Sequence, residues 1–162
     1  MICVLVVYAT RHGSTQQVAE AVATAARAGG AEVHRLPARS VRRPLGPWDL
    51  VVLGAPIYSG RWHREAHRFL KRHRAELASV PVAVFGMGPR RDDEDAWQRS
   101  RAQLDHALAR HVWLIPVAVG LFGGVDPAKR GRTQRRDLRD WTEIGNWARK
   151  VLAHATVPER LR

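Results

Sequence analysis

The segment that most constrains the fold is an apolar run that leads through a polar turn into an amphipathic helix. Residues 2–8 are continuously apolar and rich in β-branched side chains, which is typical of a strand buried on both faces. After the turn, Val18, Val22 and Ala25 recur at helical spacing. A buried strand that feeds a helix is the building unit of an α/β sheet, so we expect strands and helices to alternate along the chain.

The turn after this strand has the features of a phosphate-binding loop. A helix start presents free backbone N–H groups at the positive end of the helix dipole. Glycine lets the backbone approach an anion closely, and hydroxyl groups add donors. Other phosphate loops are excluded, because neither Gly-x-x-x-x-Gly-Lys-Ser/Thr nor Gly-x-Gly-x-x-Gly occurs here. The alternative is an ordinary turn capped by a serine. The turn consists of Thr10, Arg11, His12, Gly13, Ser14 and Thr15.

The remaining pattern predicts one domain over residues 1–156 and a short tail at 157–162. Five strands alternate with helices, which predicts a doubly wound α/β fold with a parallel sheet and helices on both faces. Further strands are predicted at 31–36, 50–54, 81–85 and 112–119, and helices at 14–28, 63–78, 92–110 and 138–154. The last helix is expected to turn Leu138, Trp141, Ile144, Ala148 and Val151 inward.

Charge and cysteine content limit the partners and the cellular location expected for the protein. The formal net charge is +12, and all but the three lysines among the 27 basic residues are arginine. This excess is expected either from coding bias or from attraction to an acidic substrate, nucleic acid or an anionic membrane surface. The single cysteine, Cys3, lies in the first strand and is expected to pack in the core. With no disulfide framework, the expected location is cytoplasmic, with peripheral contact at the inner face of the membrane left open.

Two further loops combine glycine with aromatic or basic residues where predicted strands end. Ligands of doubly wound sheets bind outside the carboxyl ends of strands, so all three loops are expected to face one ligand. The second loop contains Pro56, Ile57, Tyr58, Ser59, Gly60, Arg61 and Trp62. The third contains Gly86, Met87, Gly88, Pro89, Arg90 and Arg91.

The three loops together resemble those of flavodoxin-fold proteins, and more narrowly those of the menaquinone-dependent protoporphyrinogen IX dehydrogenase group. The resemblance spans essentially the whole chain, including a terminal helix that starts near Asp140-Trp141. It departs from the group in the segment between Phe122 and Trp141, which is short here and lacks a hydrophobic stretch. The resemblance implies a five-stranded flavodoxin-like sheet of order 2-1-3-4-5, FMN as cofactor, and an oxidoreductase with a quinone or redox-protein acceptor.

On this resemblance, residues 10–15, 56–60, 62 and 86–89 are expected to bind FMN. Tyr58 is the first candidate to contact the flavin ring, and Trp62 the second, with a packing role for Trp62 equally open. Arg61, Arg90 and Arg91 are expected to receive an acidic, porphyrinogen-like substrate through its carboxylates. Positive charge on these loops favours the reduced flavin, and so a flavin that accepts electrons from a substrate.

The sequence leaves three hypotheses about function. The first is the FMN-dependent oxidoreductase, for which no acid–base catalyst is assigned. The second is an electron carrier whose basic surface docks an acidic partner. The third, the least favoured, is contact with nucleic acid or a membrane surface through the basic residues 129–136. No metal site is expected, because the acidic residues 92–95 are placed to cap a helix.

Overall fold

A computed structural model describes residues 1–126 and 135–155 of the chain. The predicted tail at 157–162 and the basic residues 129–134 lie outside the described residues. The strands are β1 (Cys3–Tyr8), β2 (Glu32–Pro37), β3 (Leu50–Tyr58), β4 (Arg61–Trp62), β5 (Val82–Met87) and β6 (Ala118–Phe122). The helices are α1 (Ser14–Ala28), α2 (Arg64–Arg72), α3 (Arg74–Leu77), α4 (Glu94–Ala109) and α5 (Trp141–Leu152), with a 3₁₀ turn at Ala38–Ser40.

The central sheet has the strand order β2-β1-β3-β5-β6, and all four of these pairings are parallel. This is the predicted order, which is therefore confirmed. The numbering shifts because β4 is an additional two-residue strand that pairs antiparallel with the end of β3. Because the order reverses between β1 and β3, the loops that follow these strands leave a crevice at the carboxyl edge of the sheet.

Helices cover both faces of the sheet, as predicted. Successive residues of β1 point to opposite faces, so Val4 and Val6 pack in one core while Leu5 and Val7 pack in the other. The first core contains residues of α1 and α5, and the second contains residues of α2, α3 and α4. Every β1 residue from Val4 to Val7 is at most 1% exposed, which explains why this strand is apolar throughout.

A glycine and an aromatic ring interlock at the centre of the sheet. Gly54 of β3 pairs with Phe85 of β5, and the Phe85 ring occupies the space beside the Gly54 backbone. A Cβ atom on Gly54 would lie 1.9 Å from the Phe85 Cζ atom, far inside van der Waals contact. Phe85 is fully buried against Phe122 and Trp147, which leaves its ring no room to move away. The position therefore requires glycine.

Several sequence predictions about elements are wrong in detail. The strand predicted at 50–54 continues to Tyr58, and the last helix begins at Trp141 instead of residue 138. The predicted strand at 112–119 forms only from Ala118 and extends to Phe122. The preceding residues continue turning after α4, with the Leu114 amide donating to the His111 carbonyl at 2.9 Å. As a result Val112 and Ile115 are 88% and 86% exposed.

The helix predicted at 63–78 is divided at His73 into α2 and α3. In α5, Ile144, Ala148 and Val151 are buried as expected, but Trp141 is 47% exposed. The Trp141 ring is covered instead by the guanidinium group of Arg139, whose Cζ atom lies 4.8 Å from the ring centroid. Across the described residues, no helix is long and apolar enough to cross a membrane, and no side chains cluster as a metal site.

Candidate cofactor site

The turn between β1 and α1 is built to expose backbone donors. Gly13 has φ 87°, a left-handed conformation that favours glycine, and its amide donates to the Thr10 hydroxyl oxygen at 2.8 Å. No side chain caps α1, and its first turn contains no acidic residue. Within the described residues, the amides of Ser14 and Thr15 have no hydrogen-bond acceptor. These amides are therefore available to an anion at the positive end of the helix.

The Thr15 hydroxyl strengthens the case for an anion at this turn. Thr15 is fully buried, and its Oγ1 atom has no hydrogen-bond partner in the described structure. Leaving a buried hydroxyl unpaired is unfavourable, so such groups are normally satisfied by protein, water or ligand. A phosphate oxygen at the helix start would accept from both the hydroxyl and the free amides. The geometry thus supports the predicted phosphate loop.

The second predicted loop is a tight hairpin between β3 and β4. Tyr58 pairs with Arg61, which leaves Ser59 and Gly60 as a two-residue turn. Their φ angles are 48° and 76°, and positive values at both central positions are those of a type I′ turn. Ser59 is the one described residue other than glycine with positive φ. Tyr58 lies two residues beyond Pro56, the last β3 residue paired with β5, and so past the carboxyl edge of the parallel sheet.

Tyr58, in the second predicted loop, contacts residues of the predicted loop at 10–15. The Arg11 Cζ atom lies 5.0 Å from the Tyr58 ring centroid, and the His12 ring contacts it edge-on at 5.7 Å. Burial raises the pKa of the Tyr58 hydroxyl, while the positive charges of Arg11 and Arg90 oppose that shift. Tyr58 therefore sits in a cationic environment. The turn at residues 10–15 contributes the charge of Arg11, and the loop at residues 86–91, the β5 loop, contributes the charge of Arg90.

The β5 loop and the hairpin enclose one side of a cavity of about 400 Å³. A Cβ atom on Gly88 would lie 2.8 Å from Leu121, so the loop turns tightly against β6. The third loop is tied to the end of β6, because the Gly88 amide donates to the Phe122 carbonyl at 2.6 Å. The cavity is lined by predicted residues Ile57, Gly60, Gly88, Pro89, Arg90 and Arg91, and by Ala96, Arg99, Ser100 and Gln103 of α4, with Asp126 and Arg136 beyond them.

A second cavity of about 440 Å³ lies on the other side of the hairpin, lined by Arg11, Tyr58 and residues 61–64. Trp62 contributes to its wall but is only 2% exposed. The Trp62 Nε1 atom donates to the Ala55 carbonyl at 3.1 Å. This contact anchors the hairpin to β3, so the structure gives Trp62 the packing role that the sequence left open.

The remaining predicted residues differ in how far they reach the cavities. Pro56, Gly86 and Met87 are buried within β3 and β5, where they can present only backbone groups. Arg90 and Arg91 are both exposed, but Arg91 is paired with the Asp93 carboxylate at 3.1 Å. Its charge is therefore partly neutralised, whereas Arg90 has no ion-pair partner within the described residues.

Sequence reasoning missed two features beside the site. Arg139 lies against the first turn of α1, although it is 125 residues away from Ser14 in the chain. Behind Trp62, the His67 Nδ1 and His111 Nε2 atoms are 2.7 Å apart in a buried pair. No local pattern signals either contact, because both join residues far apart in sequence. Of the basic run at 129–136, the described Arg136 pairs with Asp126 at 3.0 Å.

The chain is similar to known proteins over most of its length. Residues 5–144 match the family described as flavodoxin domain. The protoporphyrinogen IX dehydrogenase [quinone] of Escherichia coli K12 is 24% identical over 173 residues, covering 94% of this chain and 95% of that protein.

Solved flavodoxins share the fold. A short-chain flavodoxin associated with a non-canonical PDU bacterial microcompartment superimposes with a TM-score of 0.68 at 18% identity, covering 96% of this chain and 100% of the other. Oxidised flavodoxin 1 of Bacillus cereus gives 0.64 at 15% identity, covering 95% and 99%. The chain therefore belongs to the flavodoxin-domain family, and this membership implies a flavodoxin-like redox protein with FMN as its cofactor.

Proposed function

We propose that the protein is an FMN-dependent oxidoreductase that takes electrons from a reduced, acidic small molecule and delivers them to a quinone or another acceptor. The similarity to a protoporphyrinogen IX dehydrogenase [quinone] makes a porphyrinogen the first substrate to test. Bound FMN would supply a ring able to accept and release electrons, while the protein supplies position and electrostatics.

The proposed cofactor position follows from the free donors of the site. The amides of Ser14 and Thr15 and the buried Thr15 hydroxyl would hold the FMN phosphate. The ring would lie toward Tyr58, where the hairpin and the β5 loop approach each other. Backbone groups of Gly60 and Gly88 border the adjoining cavity and would bond the polar edge of the ring.

The observation that carries the proposal is the positive charge around Tyr58. Arg11 lies over its ring at 5.0 Å, and the Arg90 charge also acts on its hydroxyl. Cations beside the flavin ring stabilise the negative charge that it gains on reduction, and so favour uptake of electrons from a substrate. The same guanidinium groups suit the carboxylates of an acidic substrate, which they bind through paired hydrogen bonds.

The test is the reduction potential of bound FMN in the Arg90→Gln variant. One charge about 8 Å from the ring is worth about 2 kcal/mol at an effective dielectric near 20. This corresponds to roughly 90 mV for one electron, and solvent screening halves it. We expect Arg90→Gln to lower the potential by several tens of millivolts and to weaken binding of an acidic substrate.

Arg91→Gln is the matched control, because Asp93 already offsets the Arg91 charge. Its effect on the potential is expected to be smaller. Turnover is followed by mixing the purified yellow protein with protoporphyrinogen and a quinone and recording porphyrin formation. An unchanged potential in Arg90→Gln, together with no turnover of any acidic substrate, would refute the proposal.

An electron carrier is the second candidate. It is supported by the exposure of Arg11, His12, Arg61 and Arg90, which together offer a basic docking surface to an acidic redox partner. A carrier would show rapid, salt-sensitive electron exchange with an acidic redox protein and no turnover of porphyrinogen. A strongly negative flavin potential would also favour the carrier.

A further inference from the structure

Arg139 lies beside the phosphate loop although it belongs to the segment that leads into α5. Its Nη1 atom is 3.5 Å from the Ser14 carbonyl oxygen, and the same nitrogen donates to the side-chain oxygen of Gln17. The guanidinium group stacks on Trp141, and the side chain is only 10% exposed. These contacts hold a largely buried cation against the first turn of α1.

A cation at this end of a helix is electrostatically unfavourable unless an anion is nearby, because the helix start already carries partial positive charge. The first turn of α1 contains no acidic residue to offset it, and no side chain caps the helix. The nearest carboxylate is that of Asp137, whose Oδ2 atom accepts from Arg139 Nη2 at 2.7 Å. One carboxylate balances Arg139, and within residues 1–126 and 135–155 no carboxylate pairs with Arg11 or caps the start of α1.

The hydrogen bonds from Arg139 lower the pKa of the Asp137 carboxyl, so Asp137 is ionised at neutral pH. Asp137 therefore acts in two ways. It holds the guanidinium group in place, and its negative charge reduces the attraction of this region for a second anion. The buried, unpartnered Thr15 hydroxyl independently indicates that an anion binds at this helix start.

We propose that Arg139 and Asp137 set the preference of the site for phosphorylated over unphosphorylated flavin, with Arg139 attracting the FMN phosphate and Asp137 moderating that attraction. The proposal rests on the proposed binding of FMN through the phosphate loop and extends it to a pair of residues outside that loop. Arg139 is a specificity-determining residue that acts through charge and through its contacts with Ser14 and Gln17.

The test compares the dissociation constants of FMN and riboflavin, measured by quenching of flavin fluorescence. Arg139→Gln is expected to raise the dissociation constant of FMN roughly tenfold, since only FMN carries the phosphate charge. The dissociation constant of riboflavin should change by no more than about twofold. Asp137→Asn should act in the opposite direction and tighten FMN several-fold relative to riboflavin. Arg139→Lys keeps the charge and should retain most of the FMN preference.

A control and a second readout separate charge from packing. Arg149→Gln removes an exposed arginine from α5 and should leave both constants unchanged. Phosphorus NMR reports the second pKa of bound FMN phosphate, which is about 6 for a free phosphate monoester. A nearby cation favours the dianion, so this pKa should be higher in Arg139→Gln than in the unmodified protein and lower in Asp137→Asn.

The outcomes are distinguishable. If Arg139→Gln weakens FMN and riboflavin equally, or if Asp137→Asn fails to tighten FMN, the pair has a structural role and the proposal is wrong. If Arg139→Gln does not fold, Arg139→Lys and Asp137→Asn still decide the matter. If the unmodified protein binds FMN no better than riboflavin, phosphate recognition itself fails, and the proposed use of the loop fails with it.

Discussion

The buried histidine pair behind the hairpin should make the stability of the fold depend on pH. His67 and His111 are 7% and 3% exposed, and their facing nitrogens are 2.7 Å apart. One nitrogen must donate and the other accept, so at most one of the two facing nitrogens carries a proton. Burial is the main cause that lowers the pKa of His67 from 6.5 to about 4, with further lowering by Arg110, His111 and Lys71.

The direction of the pH dependence follows from proton binding in the folded and unfolded states. In the unfolded chain His67 takes up a proton near pH 6.5, whereas in the folded protein it does so only near pH 4. Between these values the unfolded state binds more protons, so the free energy of unfolding falls as the pH falls. The shift of the His67 pKa contributes at most about 3 kcal/mol to the change in the free energy of unfolding, at 1.36 kcal/mol per pKa unit. His111 acts in the same direction, because burial also lowers its pKa.

The assay is urea denaturation at a series of pH values from 8 to 4.5 for the unmodified protein and for His67→Gln. Glutamine keeps a hydrogen-bonding group beside His111 but does not titrate. We expect the unmodified protein to lose about 2 kcal/mol more than the variant between pH 7.5 and 4.5. His106→Gln removes an exposed histidine from α4 and should follow the unmodified protein. Parallel curves for the unmodified protein and His67→Gln would refute the reasoning.

Three further outcomes test the site. Thr15→Ala should weaken FMN more than riboflavin in a fluorescence titration, and equal weakening would contradict a phosphate contact. Tyr58→Ala should raise the fluorescence of bound flavin, because contact with an aromatic ring quenches it; unchanged emission would place the ring elsewhere. Trp62→Phe should lower the free energy of unfolding by about 1–3 kcal/mol in urea, since the buried Ala55 carbonyl loses its donor. The absorption spectrum of bound flavin should stay the same in Trp62→Phe.

The parts of the fold that sequence could predict are those specified by neighbouring residues. The helix predicted at 14–28 is α1 with the same bounds, because apolar spacing, the turn at Gly13 and the glycines at its end are all local signals. The loop predicted at residues 56–62 is right only at Ser59 and Gly60, because residues 56–58 extend β3 and residues 61–62 form β4. Their type I′ geometry depends on positive φ at Ser59, which a serine in the sequence does not predict.

The parts that failed depend on tertiary contacts. Hydropathy predicts a buried strand at 112–119, but it cannot distinguish a covered from an exposed apolar run. Val112 and Ile115 are exposed to solvent. The contact of Arg139 with the first turn of α1 joins residues 125 positions apart in the chain. In an arginine-rich sequence, no local pattern distinguishes an arginine that makes a specific tertiary contact from the other arginines.

The interlock of Gly54 and Phe85 also constrains how the hairpin and the β5 loop move. Gly54 lies four residues before Tyr58, and Phe85 lies three residues before Gly88. Because the ring fills the space against the glycine, β3 and β5 are locked together where both loops begin. The hairpin and the β5 loop therefore share one rigid base. Their base amides should become accessible to deuterium in a single opening event, while the exposed tip at Ser59 and Gly60 exchanges independently and faster.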